Sequence, residues 1–349
     1  MDGLVLEYRD PLFGIFTIFL IIFIASFLTY AYNIYIERKS RKEYQNFMKK
    51  FELGDLKEDD YITLYTTYNL PFDSIILLAS SFLHKGEYNK AVSVYQALLL
   101  HVKEPVKKEE LLELLGKTYF KGGFLQRSKD VYLKILKFSP RNKQALFHLL
   151  FINEKLKDYP KAEDILESLD ELDEDVKIDR TYIRTLYIID NPTIPIEEKT
   201  TRLVNIFTLN PLIERLLLQF LLRYNKEFFW ENTQLFNLTK IIDLLWYLDK
   251  GEVNLDVALQ DKFLKNLYTA KGYIKDDSLG ELFELNVLIA TKNSTLEVNL
   301  DLNFYFICSK CKKTVPMYDS RCPHCHSILT LKVKPQLSKG YYEKNSSLQ

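Results

Sequence analysis

Glycine and proline are scarce in this chain, at 11 residues each among 349. Few of either argues against long disordered tracts, and together with abundant Leu, Tyr and Phe it suits packed helices. Net charge is missing too: 47 basic side chains balance 47 acidic ones, which removes any global attraction to a polyanion. No His-Glu-x-x-His occurs, no glycine-rich phosphate loop, and no cysteine outside one C-terminal quartet that would serve as a nucleophile. His84, His101 and His148 stand isolated and read as surface or packing residues. No catalytic residue is assigned, and the chain reads as a non-enzyme.

The quartet is Cys308, Cys311, Cys322 and Cys325, two C-x-x-C pairs on either side of a ten-residue loop. Four thiolates so spaced converge tetrahedrally on one ion, with sulfur about 2.3 Å from zinc. Such a site is closed: structural with zinc, a one-electron carrier with iron. One zinc ion is expected, iron being the alternative. His324 within the second pair and His326 directly after it are subordinate candidates to tune the site or replace a ligand. Alternation through Val298, Leu300 and Leu302 runs into Phe304-Tyr305-Phe306-Ile307, and Ile328, Leu329, Leu331 and Val333 suggest a closing strand. Residues 296–335 thus read as a small β module of zinc-ribbon or rubredoxin layout, folded with the help of its metal. Residues 336–349 read as a flexible tail. Lys310, Lys312, Lys313 and Arg321 make the module basic, which admits nucleic acid as a ligand.

Residues 11–36 carry no charge. As a helix this run is about 39 Å long, against a hydrocarbon core of roughly 30 Å. Tyr30, Tyr32 and Tyr35 gather at its far end, where amphipathic rings favour the headgroup level. A cleaved signal peptide wants a basic start and a shorter apolar run. Here Asp2, Glu7 and Asp10 outweigh Arg9, so an uncleaved transmembrane anchor is expected. Arg38, Lys39, Arg41, Lys42, Lys49 and Lys50 follow against Glu37 and Glu43, and the positive-inside rule places everything after residue 36 in the cytoplasm. A reducing compartment agrees with thiols kept for metal. Residues 37–74 read as a juxtamembrane helical linker.

From residue 75 the chain repeats itself. Gly86 through Ala91 to Tyr95 aligns with Gly123 through Ser128 to Tyr132, and Lys157 through Ala162 to Leu166 gives a third copy. A small residue followed four later by a large one, at a period of about 34 residues, is the tetratricopeptide pattern, because helices approach closely only where one presents Ala, Gly or Ser. Tetratricopeptide-like helical repeats are expected over 75–295, clear over 75–170 and degenerate beyond. Asn191-Pro192 and Asn210-Pro211 read as helix starts. Phe228, Phe229, Trp230, Trp246 and Tyr247 read as core rather than a ligand cage. The acidic run over 163–179 reads as a solvated helix face, with partner docking as the alternative. The expected fold class is all-α: a transmembrane helix, a repeat α-solenoid whose groove suits protein partners, and the C-terminal metal module.

This order of parts resembles the lipopolysaccharide assembly protein B family of the bacterial inner membrane. The likeness lies in Gly86-Glu87 through Tyr95-Gln96-Ala97-Leu98, in Leu115-Gly116-Lys117-Thr118-Tyr119 continuing to Ser128, and in the paired C-x-x-C with its ten-residue loop and Pro323 after the third cysteine. Residues 45–75 and 180–300 depart from the family's repeat pattern. The resemblance implies an adaptor: a single-pass inner-membrane protein with its bulk in the cytoplasm, coupling the membrane metalloprotease FtsH to the deacetylase LpxC and so limiting lipid A synthesis. It also implies that Cys308, Cys311, Cys322 and Cys325 bind the metal. An iron-containing electron-transfer protein and a nucleic-acid-binding zinc ribbon on a membrane scaffold are the other two readings of the residues.

Overall fold

The computed structural model describes residues 11–53, 60, 63, 65–66, 71–293 and 299–339. They are mostly helical and divide into two compact units, Met1–Pro140 and Arg141–Gln349.

The first unit begins with α1 (Pro11–Leu53), one uninterrupted helix. Its stretch Ile15–Lys39 is long and apolar enough to cross a membrane, and large side chains such as Phe19, Ile21 and Phe23 are exposed along it. The linker expected from residue 37 therefore begins as a continuation of the same helix. Then come α2 (Phe72–His84), α3 (Tyr88–His101), α4 (Pro105–Lys121) and α5 (Leu125–Phe138), each packed on the next. Ala79 and Ala91 are fully buried. At the α4–α5 crossing, a Cβ added to Gly116 would lie 2.9 Å from the Tyr132 ring, and the Ser128 hydroxyl donates to the Gly116 carbonyl at 2.7 Å. Glycine, small hydroxyl and aromatic thus form one close contact between two helices.

The turns between paired helices have one geometry. Gly86 and Gly123 take φ of +79° and +78°, and the next amide reaches back over the helix end, Glu87 to Phe82 O and Phe124 to Tyr119 O, both at 2.9 Å. In the second unit the turn between α6 (Lys143–Lys155) and α7 (Tyr159–Asp170) repeats it: Lys157 has φ 58°, and the Asp158 amide donates to Asn153 O at 2.9 Å. A lysine in this left-handed conformation costs about 1 kcal/mol more than glycine.

The helices α8 (Lys177–Asp190), α9 (Ile196–Leu209) and α10 (Glu214–Tyr224) continue the succession. Beyond them the expected degenerate repeats give way to short pieces: α11 (Lys226–Glu231), α12 (Ile242–Trp246), α13 (Leu255–Gln260), α14 (Lys262–Lys271) and α15 (Phe283–Asn293), with 3₁₀ turns between. Closely spaced caps explain the shortness. Asn225, Asn237, Asn254 and Asp261 accept from the amides of Phe228, Thr239, Val257 and Leu264, so a new helix starts before a long one has run its course. Asn210 caps the turn at Leu212 as its Asn-Pro pair suggests, whereas Asn191 ends α8 and accepts from Thr193. The short helices surround one core that includes Leu221, Phe229, Trp230, Leu245, Trp246, Leu264, Tyr268 and Leu288. Tyr247, expected in that core, is exposed and meets Phe304 edge-on.

Three strands finish the second unit: β1 (Leu300–Cys308), β2 (Thr314–Val315) and β3 (Leu331–Lys339), in the order β2-β1-β3 and all antiparallel. Alternate residues of β1 point one way. Leu302 and Phe304 enter the helical core, while Phe306 and Cys308 join a smaller cluster with Val315, Cys322 and Leu331. One strand thereby belongs to both cores. β3 pairs with β1 from Leu331 to Lys339, so residues 336–339, expected in the tail, are strand. Val298 and residues 340–349 lie outside the described residues.

Candidate metal centre

The end of β1 delivers Cys308, and an isolated bridge between Arg321 and Ile328 holds the second pair. The two C-x-x-C segments share a backbone. The Cys308 amide donates to Lys313 O at 3.1 Å, and the Lys312 amide donates back to Cys308 O at 2.9 Å. The Cys322 amide donates to Ser327 O, and the His326 amide to Cys322 O, both at 2.9 Å. Lys312 and His326, each following the second cysteine of its pair, are left-handed, with φ of 61° and 58°.

This backbone brings all four Sγ atoms within 4.8 Å of one another. Cys308 and Cys325 are 3.7 Å apart, Cys311 and Cys322 3.8 Å. A tetrahedron with metal–sulfur bonds of about 2.3 Å has edges of about 3.8 Å, so the four cysteines fit one ion. Hydroxyls stand behind the sulfurs: Ser327 Oγ is 2.8 Å from Cys325 Sγ, and Thr330 Oγ1 is 3.3 Å from Cys308 Sγ. Burial opposes ionisation of Cys308, but hydrogen bonds from the Cys311 backbone, the Thr330 hydroxyl and the Lys310 backbone outweigh it and bring the thiol down to about 5. Burial also opposes ionisation of Cys325, and the hydroxyl and backbone of Ser327 turn that balance downward. At Cys311 the Lys313 backbone favours the thiolate, yet burial and the neighbouring cysteines push the thiol up to about 11. A bound cation would favour the thiolate at all four sulfurs, since metal-ligating cysteines are deprotonated.

The second pair is tied to helices. Arg321, immediately before Cys322, is buried; its Nε and Nη2 donate to Glu154 Oε2 on α6 at 2.8 and 2.6 Å, and its Nη1 to His326 O at 2.7 Å. Glu154 accepts through its other oxygen from Tyr182 of α8 at 2.9 Å. The guanidinium lies 4.3 Å from the Phe151 ring centre, and the His326 ring packs 5.2 Å from the same ring. Asp179 of α8 stands 3.7 Å from Arg321; burial raises its carboxyl, with the arginine charge working against that rise. A second buried arginine holds the loop between the pairs. Arg215 of α10 binds both oxygens of Asp243, at 3.0 and 2.6 Å, and lies 3.9 Å from the centre of Tyr318, whose ring meets Phe306 edge-on.

The structure thus gathers the four sequence-predicted ligands. Among the described residues the candidate metal group contains no histidine; His324 stands outside it and His326 packs on Phe151. Arg321 does not belong to a basic surface, being sequestered by Glu154, while Lys310, Lys312 and Lys313 are exposed. The acidic run is partly consumed inside the unit: Glu163 pairs with Arg180 and Arg184, Asp170 with Arg180, and Glu174 with Lys143. Sequence reasoning missed Glu154, although its phase with Leu150 and Phe151 on α6 marks an acid on a buried face. It also missed Ser327 and Thr330, whose hydroxyl side chains just past the last cysteine are the available signal.

Chemically, four sulfurs around one ion leave no position for a water nucleophile. The fold and site define a mostly helical protein with an apolar N-terminal helix and a four-cysteine centre that can hold a metal ion. No protein-family model matches the chain, and no curated protein matches its sequence.

Proposed function

We propose that this chain is a membrane-anchored protein-binding scaffold whose metal centre is a structural clip. The observation that carries it is the tie between Arg321 and Glu154, which makes the backbone of the second cysteine pair part of the packing of α6 and α8. In this account the ion is zinc. When bound it supplies folding free energy to a module with a core of few residues; the protein's own residues orient that module. The helical hairpins with their shared turn are tetratricopeptide-like and offer protein-recognition surface. α1 crosses the membrane once, with the basic residues after it on the cytoplasmic side. Tethering raises the effective concentration of the scaffold toward other membrane proteins without any new contact.

The resemblance to the lipopolysaccharide assembly protein B family supplies specific partners: an FtsH-like membrane metalloprotease and an LpxC-like deacetylase, brought together to limit lipid A synthesis in a bacterial inner membrane. Cross-linking in intact membranes followed by affinity purification of the full chain tests this. Recovery of the protease or the deacetylase is expected, and recovery of neither from cells that express both would contradict it. Metal analysis of the same preparation should give one zinc per chain without colour, whereas a red, redox-active protein would favour electron transfer by iron.

A further inference from the structure

The sheet order leaves β3 with β1 on one side and no strand on the other among the described residues. Beside that edge, between residues 329–334 and the start of α10, runs a cavity of about 440 Å³, within the size range of roughly 300–1,000 Å³ typical of ligand pockets. Leu212, Tyr318 and Leu329 give it apolar walls, and Leu212 is 51% exposed. Lys332 and Lys334 line it on the strand side; both are exposed, and among the described residues no side-chain hydrogen bond or ion pair holds either. The acids nearby are already used, Glu214 by Lys240 and Asp243 by Arg215. The free charge of the cleft is therefore positive. Pro335, which has no amide N–H, limits further pairing to the residues before it.

We propose that this cleft docks an extended, acidic segment of a partner protein, added as a fourth strand along Leu331–Lys334 with one apolar side chain in the cavity. Main-chain pairing gives such an addition its affinity, and the pocket and the two lysines give it selectivity for alternating apolar and acidic residues. The inference rests on the protein-binding reading above and names the chemistry of one partner.

The full chain in phosphatidylcholine nanodiscs, titrated with a fluorescent Glu-Leu-Glu-Val-Glu-Leu peptide, tests it. Saturable binding is expected, weakening with added salt and slowing amide exchange over residues 331–334. Lys332→Glu with Lys334→Glu should weaken it about tenfold or more, and a peptide with proline at its centre should not bind. Absence of saturable binding, or equal binding by the proline peptide or the double variant, would overturn the proposal. Peptide binding without recovery of protease or deacetylase would speak against those partners and for the cleft; the reverse would remove the cleft alone.

Discussion

The two cysteine pairs have the same backbone and different surroundings. Each ends in a left-handed residue whose amide closes back on the first cysteine. Around the first pair stand Lys310, Lys312 and Lys313, all exposed. Around the second, Arg321 and His326 are packed against Glu154, Phe151 and Tyr182 of two helices. Equal local geometry with unequal packing separates two roles. A tetrahedral site would draw on both pairs, and of the two only the second is packed against α6 and α8.

The largest effect should come where the pairs are equivalent. Chelation, or Cys308→Ser with Cys311→Ser, removes the metal's contribution, which in small zinc modules is on the order of 10 kcal/mol. Cys322→Ser with Cys325→Ser should do the same, and circular dichroism with metal analysis should find the β module lost in both. Because Leu302 and Phe304 of β1 sit in the helical core, that loss should lower the thermal midpoint of the second unit as well. Unequal effects of the two double variants would break the equivalence.

Where the pairs differ, so should the variants. Arg321→Ala leaves the buried Glu154 carboxylate with the Tyr182 hydroxyl but without its counter-ion and should cost about 3–5 kcal/mol in a denaturant titration, whereas Lys310→Ala should stay within about 0.5 kcal/mol. Arg321→Met combined with Glu154→Met should recover most of the loss, since a buried ion pair is often replaceable by apolar residues. The smallest contrast concerns the left-handed residues. Lys312→Gly relieves strain and should stabilise by up to about 1 kcal/mol; His326→Gly gains the same relief and loses the packing on Phe151, so its net change should be near zero or unfavourable.

What was legible in the sequence was local. Four cysteines at fixed spacing announce their own convergence, and Gly86, Gly123, Ser128 and Tyr132 mark turns and crossings within a few dozen residues. Arg321 was misread because its partner lies 167 positions away, and from composition alone an arginine in a lysine-rich loop is one more surface charge. The region after α10 was misread for a related reason. Its apolar spacing continues, but the caps at Asn225, Asn237, Asn254 and Asp261 decide helix length, and in an amphipathic pattern each looks like one more polar position. The sharing of β1 between two cores leaves no trace in hydrophobic alternation, since Leu302, Phe304 and Phe306 look alike until packing assigns them.

Amide exchange over residues 143–190, with metal bound and after chelation, bears most directly on the clip. If the second cysteine pair fastens the module to α6 and α8, chelation should speed exchange around Glu154 and Tyr182 as well as across residues 300–339. Faster exchange confined to residues 300–339, with 143–190 unchanged, would mean that the metal folds its module and nothing more.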